Sequence, residues 1–269
     1  MPTPSSVAAQ RPRTLRRELT TYYALAFAIS WLGALAVAAP HLLRHEPVPK
    51  FAGLMMFPVM LLGPSIAGIA LMRFYDGKPG LRALFASIFW VRVPVIWWAA
   101  LLIFPVAILA VLFLLKGFLS PAYAPNHFWI GLLFGLPAGL LEEIGWTGFA
   151  TRKLVTRGNV GWSSVLIGIL WALWHLPVVD FLGAASPHGK YFLPFFLAFA
   201  LILTAVRVLI AKAYLATGSV LLPQLLHAAS TGSLVIFGPF AATPAQEALW
   251  YAAYGATLWL MLLVAKERR

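Results

Sequence analysis

The chain has no cysteine, which excludes disulfides, thiol nucleophiles and thiolate-bound metals and leaves the redox compartment unmarked. Charge is scarce as well: 10% of the 269 residues are Asp, Glu, Lys or Arg, against about 25% in soluble globular domains. With 61% apolar residues and a mean hydropathy of +0.86, a cytosolic enzyme, a disordered chain and a nucleic-acid-binding domain are all ruled out. A net charge of +12 would suggest nucleic acid, but the basic residues fall between apolar runs, where they meet anionic lipid headgroups. Membrane lipid is therefore the expected partner, and nucleic acid is not. Chemistry is left to carboxylates, imidazoles, hydroxyls and amides.

What the sequence does have is a succession of apolar runs. The first extends from Thr20 to Ala39, and others lie near 51–72, 94–115, 128–150, 160–182, 191–212, 218–238 and 245–265. Each approaches the roughly 20 residues that a bilayer-crossing helix needs. None shows the alternation of a lipid-facing barrel strand, and backbone polar groups in hydrocarbon require internal partners. The expected fold is therefore all-α, a polytopic membrane bundle of about eight transmembrane helices, with an interfacial segment near 83–93. Residues 1–19, with Pro2, Pro4, Pro12 and four arginines, read as a disordered basic cytoplasmic tail. Residues 20–269 read as a single transmembrane domain. The Ala36-Val-Ala-Ala-Pro40 end of the first run has the small-residue character of a signal-peptidase site. The run is nearly span length, so it reads as an uncleaved anchor.

All but four of the 20 basic residues (Arg44, Lys50, Lys116 and Lys190) fall in segments on the same side as the N-terminus, Arg207 and Lys212 being counted there. The positive-inside rule then places both termini in the cytoplasm. The abundance of Ala and Arg points to a GC-rich bacterial genome, and so to a bacterial cell membrane.

Ionisable groups inside spans are costly and mark function. Glu142 and Glu143 are adjacent within the fourth run, ten residues before Arg152, hence roughly 15 Å deep at 1.5 Å per residue. His175 lies in the fifth run and His227 in the seventh, at depths of roughly 20 and 12 Å by the same measure. The remaining histidines fall in outer loops, and Glu18, Asp76 and Glu247 in tails or loops. His227 and Thr231 are four apart on one helix face, as are Trp171 and His175, which sets an aromatic wall beside the imidazole. Adjacent carboxylates in a dry site do not both ionise easily, which suits one to acid–base work near neutrality. Hydrolysis of a peptide bond in a membrane-embedded cavity is the chemistry best served. Two other readings fit the same residues: a cation or proton pathway through a transporter, and polar contacts between helices. Glu142, His175 and His227 also form a possible three-ligand set for zinc, whose presence spacing does not decide.

Three segments resemble the motifs of one family. Glu142-Glu143-Ile-Gly-Trp-Thr147-Gly148 is similar to a Glu-Glu-x-x-x-Arg motif, and Trp171-Ala-Leu-Trp-His175 to an aromatic residue preceding a histidine. His227-Ala-Ala-Ser-Thr231 is similar to a histidine followed by Asn four residues later. In this order they resemble the CAAX-protease and bacteriocin-processing (CPBP, or Abi) intramembrane peptidases, with the peptidase-like core at about 128–240. The resemblance implies an endopeptidase acting on a membrane-associated protein or peptide. Glu142 and His175 would activate water, His227 and Thr231 would stabilise the oxyanion, and Glu143 would support them. The family is labelled as metalloproteases, and a metal-free glutamate mechanism is also proposed for it; the second is preferred here.

Two departures stand out. Thr147 replaces the motif Arg, leaving the carboxylates without that cation or substrate binding to another residue. Arg152 is about 140° further round the helix and is not an obvious substitute. Thr231 replaces Asn, with one donor instead of two; if the oxyanion relied on that amide, the barrier rises by about 2–4 kcal/mol. Reduced activity, or an inactive relative that binds or scaffolds membrane partners, is the corresponding alternative.

Overall fold

A computed structural model describes residues 12–154, 160–181 and 188–267, and all regular structure among these residues is helical. Among the described residues eleven α-helices run in order: α1 (Pro12–Leu42), α2 (Lys50–Tyr75), α3 (Gly77–Ile88), α4 (Val95–Ala99), α5 (Ile103–Phe118), α6 (Gly131–Gly145), α7 (Arg152–Leu154), α8 (Val160–Trp174), α9 (Phe192–Thr217), α10 (Leu221–Phe237) and α11 (Pro244–Glu267). A 3-10 turn joins α4 to α5, and a π turn, Trp146–Thr151, joins α6 to α7. Among the described residues five segments are long and apolar enough to cross a membrane: α1, α2, α4–α5, α9 with the turn before it, and α11. α8 and α10 are apolar but shorter. Chain order and apolar composition together give a polytopic helical bundle. α3 is the amphipathic piece between two spans, with Leu84 its buried residue.

The expected disordered tail is corrected in part. Residues 1–11 lie outside the described residues, whereas 12–19 form the first turns of α1. Leu15 and Glu18 are buried, and the Glu18 carboxylate meets Lys153 Nζ at 2.9 Å. Lys153 also reaches Asp76 at 2.7 Å. One buried ammonium therefore ties α7 to α1 and to the α2–α3 junction, and neither acid is a free tail or loop charge. Glu247 is likewise in the first turn of α11, where it pairs with buried His188 at 3.2 Å. The His188 ring stacks on Phe195 at 3.7 Å.

Small residues set the helix approaches. α1 and α2 run antiparallel, with the Ser30 hydroxyl donating to the Met60 carbonyl at 2.7 Å. α6 and α10 run antiparallel along Gly131, Gly135 and Gly139, spaced four apart so that they share a face. A Cβ at Gly139 would meet the Gln224 carbonyl and Ala228, so glycine is needed for the two backbones to come this close. Beside this seam, the Gln224 side-chain amide donates to the Leu140 carbonyl at 2.6 Å. α9 packs between α8 and α11, and the Trp259 indole donates to the Leu201 carbonyl at 3.1 Å.

Candidate active site

The glutamate pair ends α6, just before the helix widens. The π turn Trp146–Thr151 is wholly buried, and Thr151 donates to the Trp146 carbonyl at 2.8 Å. π turns of this kind interrupt α-helices and are frequent at functional positions. His175 follows the last residue of α8. Pro177, which lacks an N–H, begins the π turn Pro177–Phe181 beyond it. His227 lies on the second turn of α10.

Glu142 and Glu143 are 1% and 0% exposed, and the two carboxylates are held very differently. Glu143 accepts a two-pronged contact from Arg207 of α9, Nη2 to Oε1 at 2.5 Å and Nη1 to Oε2 at 3.0 Å. His227 Nδ1 reaches Glu143 Oε1 at 2.9 Å, and the Thr147 hydroxyl donates to Oε2. Each Glu143 oxygen thus has two donors, which fills the acceptor capacity of a carboxylate. Glu142 is served on one oxygen alone. Oε2 accepts the Trp171 indole N–H at 2.8 Å and that of Trp146 at 3.1 Å. Oε1 is buried and has no partner among the described residues.

Trp171 is the hub that brings the predicted residues together. Its ring centroid is 4.7 Å from that of His227, 5.7 Å from His175 and 5.0 Å from the Arg207 guanidinium carbon. His175 Nδ1 contacts the Trp171 carbonyl at 2.7 Å. A carbonyl only accepts, so Nδ1 carries the proton and a neutral His175 has its lone pair on Nε2. By the same reasoning His227 donates Nδ1–H to Glu143, and its Nε2 donates only in the imidazolium form. The His175 ring is packed edge-on to Trp174 and Phe199, at centroid distances of 4.8 and 5.2 Å. Trp146 is enclosed by Tyr22, Tyr23 and Trp174 at 5.7, 6.0 and 6.1 Å.

Three predicted residues, Glu142, His175 and His227, therefore meet one indole, and the fourth, Glu143, joins them through His227. Thr231 is half-buried one turn beyond His227, and no hydrogen bond joins it to this cluster among the described residues. Arg207, Trp171 and Trp146 were not among the predicted site residues. Arg207 is a correction: it is not a cytoplasmic surface charge but 0% exposed inside α9. It lies ten residues before Thr217, roughly 15 Å from the helix end, the same depth that singled out Glu142. Trp171 was read as an aromatic wall, and its N–H is the feature that counts.

Glu142, His175 and His227 do not fit the zinc set considered from the sequence. Among the described residues, no three His, Asp or Glu side chains are grouped to hold a metal ion.

Residues 123–233 match the family described as Type II CAAX prenyl endopeptidase Rce1-like, and this span holds all three motifs and Arg207. The chain is also 43% identical over 44 residues to CAAX prenyl protease 2 of Methanococcus maripaludis, a stretch amounting to 16% of each chain. It thus aligns with only a small part of that relative. The resemblance drawn from the three motifs agrees with both matches.

Proposed function

We propose that the chain is a membrane-embedded endopeptidase of the CAAX and Abi type. It hydrolyses a peptide bond of a membrane-associated protein or peptide, using water activated by Glu142 and His175. The observation that carries this reading is the unequal treatment of two adjacent buried glutamates. Glu143 is saturated by Arg207, His227 and Thr147, whereas Glu142 keeps one oxygen free of protein donors among the described residues. A carboxylate anchored through one oxygen and open at the other is suited to accept a proton from water. The His175 Nε2 lone pair offers that water a second acceptor. As the water oxygen bonds to the scissile carbonyl carbon, its proton passes to Glu142 Oε1 and then to the departing amine. The carbonyl oxygen, now carrying negative charge, is met by His227 Nε2–H of an imidazolium whose other nitrogen rests on Glu143. The Thr231 hydroxyl on the same helix face adds a donor.

Substrate approaches from the cytoplasmic side, with both termini on that face of the cell membrane. A groove of about 340 Å³ beside the start of α1, lined by Leu15, Leu19, Tyr23, Leu166 and others, supports that direction. Tyr23 stacks on Trp146, which bonds Glu142.

The test is cleavage of a broad panel of membrane peptides by the wild type and Glu142→Gln in lipid nanodiscs. Glutamine leaves an oxygen for the two indoles and removes the base. A fall of about 100- to 10,000-fold is expected. Equal rates across the panel would sink the proposal.

A further inference from the structure

Arg207 belongs to none of the three motifs, yet it touches both halves of the cluster. Its Nη1 and Nη2 grip Glu143, and Glu143 Oε1 holds His227 Nδ1. The guanidinium also lies 5.0 Å from the Trp171 ring centroid, and the Trp171 N–H holds Glu142. Two short chains of contact therefore begin at one side chain. One runs through a carboxylate to an imidazole, and the other through an indole to the carboxylate with the open oxygen.

A carboxylate removed from water needs compensation in charge and in hydrogen bonds. Glu143 is fully buried, and the side chain four residues further on is Thr147, whose hydroxyl supplies one donor and no charge. The charge comes instead from α9, sixty-four residues away in sequence. A guanidinium suits this position for two reasons: its planar fork meets both carboxylate oxygens, and its face lies on an aromatic ring. Lysine has one nitrogen and no plane, so it retains the charge and loses the orientation.

We propose that Arg207 is the positioning cation of this site. It fixes Glu143, and through it the outward direction of His227 Nε2, while steadying Trp171 against Glu142. It does the electrostatic work for which no cation is present at position 147. Arg207 acts through other side chains and does not touch substrate. The inference rests on the peptidase reading only for its kinetic readout; its structural readout is independent.

The experiment uses the full chain in nanodiscs with Arg207→Lys, Arg207→Ala and the transplant Arg207→Ala with Thr147→Arg. Positions 143 and 147 share a helix face, so the transplanted guanidinium meets Glu143 in the space that Arg207 leaves. On a cleaved peptide, Arg207→Lys is expected to lower kcat by about 100-fold with KM changed less than about twofold, as for a misplaced catalytic group. The transplant is expected to regain at least about tenfold over Arg207→Ala. Because a smaller folded fraction also lowers apparent kcat at unchanged KM, rates are taken per mole of folded protein, and a merely structural cation then leaves them at the wild-type value. The second readout is the ¹⁵N shift pair of the His227 ring. Arg207→Lys is expected to move it away from the Nδ1–H pattern, and the transplant to return it. Wild-type kcat in Arg207→Lys, a transplant no better than Arg207→Ala, or an unmoved His227 signal would each overturn the proposal. If the wild type cleaves no peptide, the peptidase reading fails, and the His227 signal still decides the role of Arg207.

Discussion

Trp171→Phe removes one N–H from the centre of the site and keeps most of the ring. The indole N–H reaches Glu142 Oε2 at 2.8 Å, and the only other donor to this carboxylate among the described hydrogen bonds is Trp146 at 3.1 Å. A hydrogen bond to a charged group contributes about 1.5–3 kcal/mol, and one between neutral groups about 0.5–1.5 kcal/mol. Trp171→Phe should therefore cost about 2–3 kcal/mol in the wild-type background, with a small addition for the missing ring atoms. In a Glu142→Gln background the acceptor is a neutral amide oxygen, and the cost should fall by about 1 kcal/mol. The assay is a double-mutant cycle on unfolding in mixed micelles, followed by circular dichroism. A coupling below about 0.4 kcal/mol marks independent sites and would refute the claim that this bond holds the glutamate. Turnover supplies a parallel check. Phenylalanine still packs on His175, His227 and Arg207, so KM should hold while kcat falls about tenfold or more as Glu142 loses its fixed direction. Trp146→Phe, at the longer contact, should be the milder change on both measures.

Gly139→Ala puts a methyl against the Gln224 carbonyl and Ala228. It should destabilise the protein by about 1–3 kcal/mol and also lower turnover, because the α6–α10 seam sets the distance between Glu143 and His227; a melting curve and a rate measurement check both. Lys153→Met strands Glu18 and Asp76. It should cost about 3 kcal/mol, the lower end for a broken buried ion pair, with kcat of the folded fraction unchanged. Thr147→Val removes a hydroxyl from Glu143 while Arg207 and His227 remain. A loss of about 1.5–3 kcal/mol is expected, as for a hydrogen bond to a charged group, with a rate effect well below that of Arg207→Lys. Glu143→Gln with Arg207→Met should be more stable than Arg207→Met alone, because no buried charge is left unpaired, but should stay inactive. Recovery of turnover in that pair would show that the ion pair has no part in positioning His227.

Much of the bundle was legible because hydrophobic length is a local property. The run expected at 160–182 contains α8 and its π turn, and the run at 245–265 is almost coextensive with α11. Glu142, Glu143, His175 and His227 were legible for the opposite reason, since ionisable groups inside apolar runs conflict with their surroundings. Arg207 presents the same conflict, yet a rule that treats Arg as a marker of cytoplasmic loops absorbed it into the charge count. Position within the helix, not residue type, separates it from Arg152, which begins α7. The Lys153–Glu18–Asp76 cluster was hidden more deeply. Its partners stand 135 and 77 positions from Lys153 in sequence, and no local pattern joins them. Trp171 was visible as a ring four residues before His175, but only the fold gives its N–H a direction.

The broken helices and the buried charges occur together for one physical reason. In hydrocarbon a backbone carbonyl or N–H without a partner is costly, so irregular backbone survives at membrane depth only inside protein. The same requirement governs a carboxylate or a guanidinium. Trp146–Thr151 and Pro177–Phe181 are both π turns, and each lies within a few residues of the glutamates or of His175. Longer neighbours supply the protein surroundings, as where Tyr22 of α1 meets Trp146 and Gly145 lies against Pro64 of α2. Within that enclosure Glu143 is neutralised by Arg207, and Trp171 lies against the guanidinium. Such an interior can hold a further carboxylate oxygen without a protein donor, and Glu142 Oε1 is that atom. An acceptor of this kind facing lipid would have no polar partner within reach; in this position protein encloses it, with the Trp171 and Trp146 N–H groups on its sister oxygen.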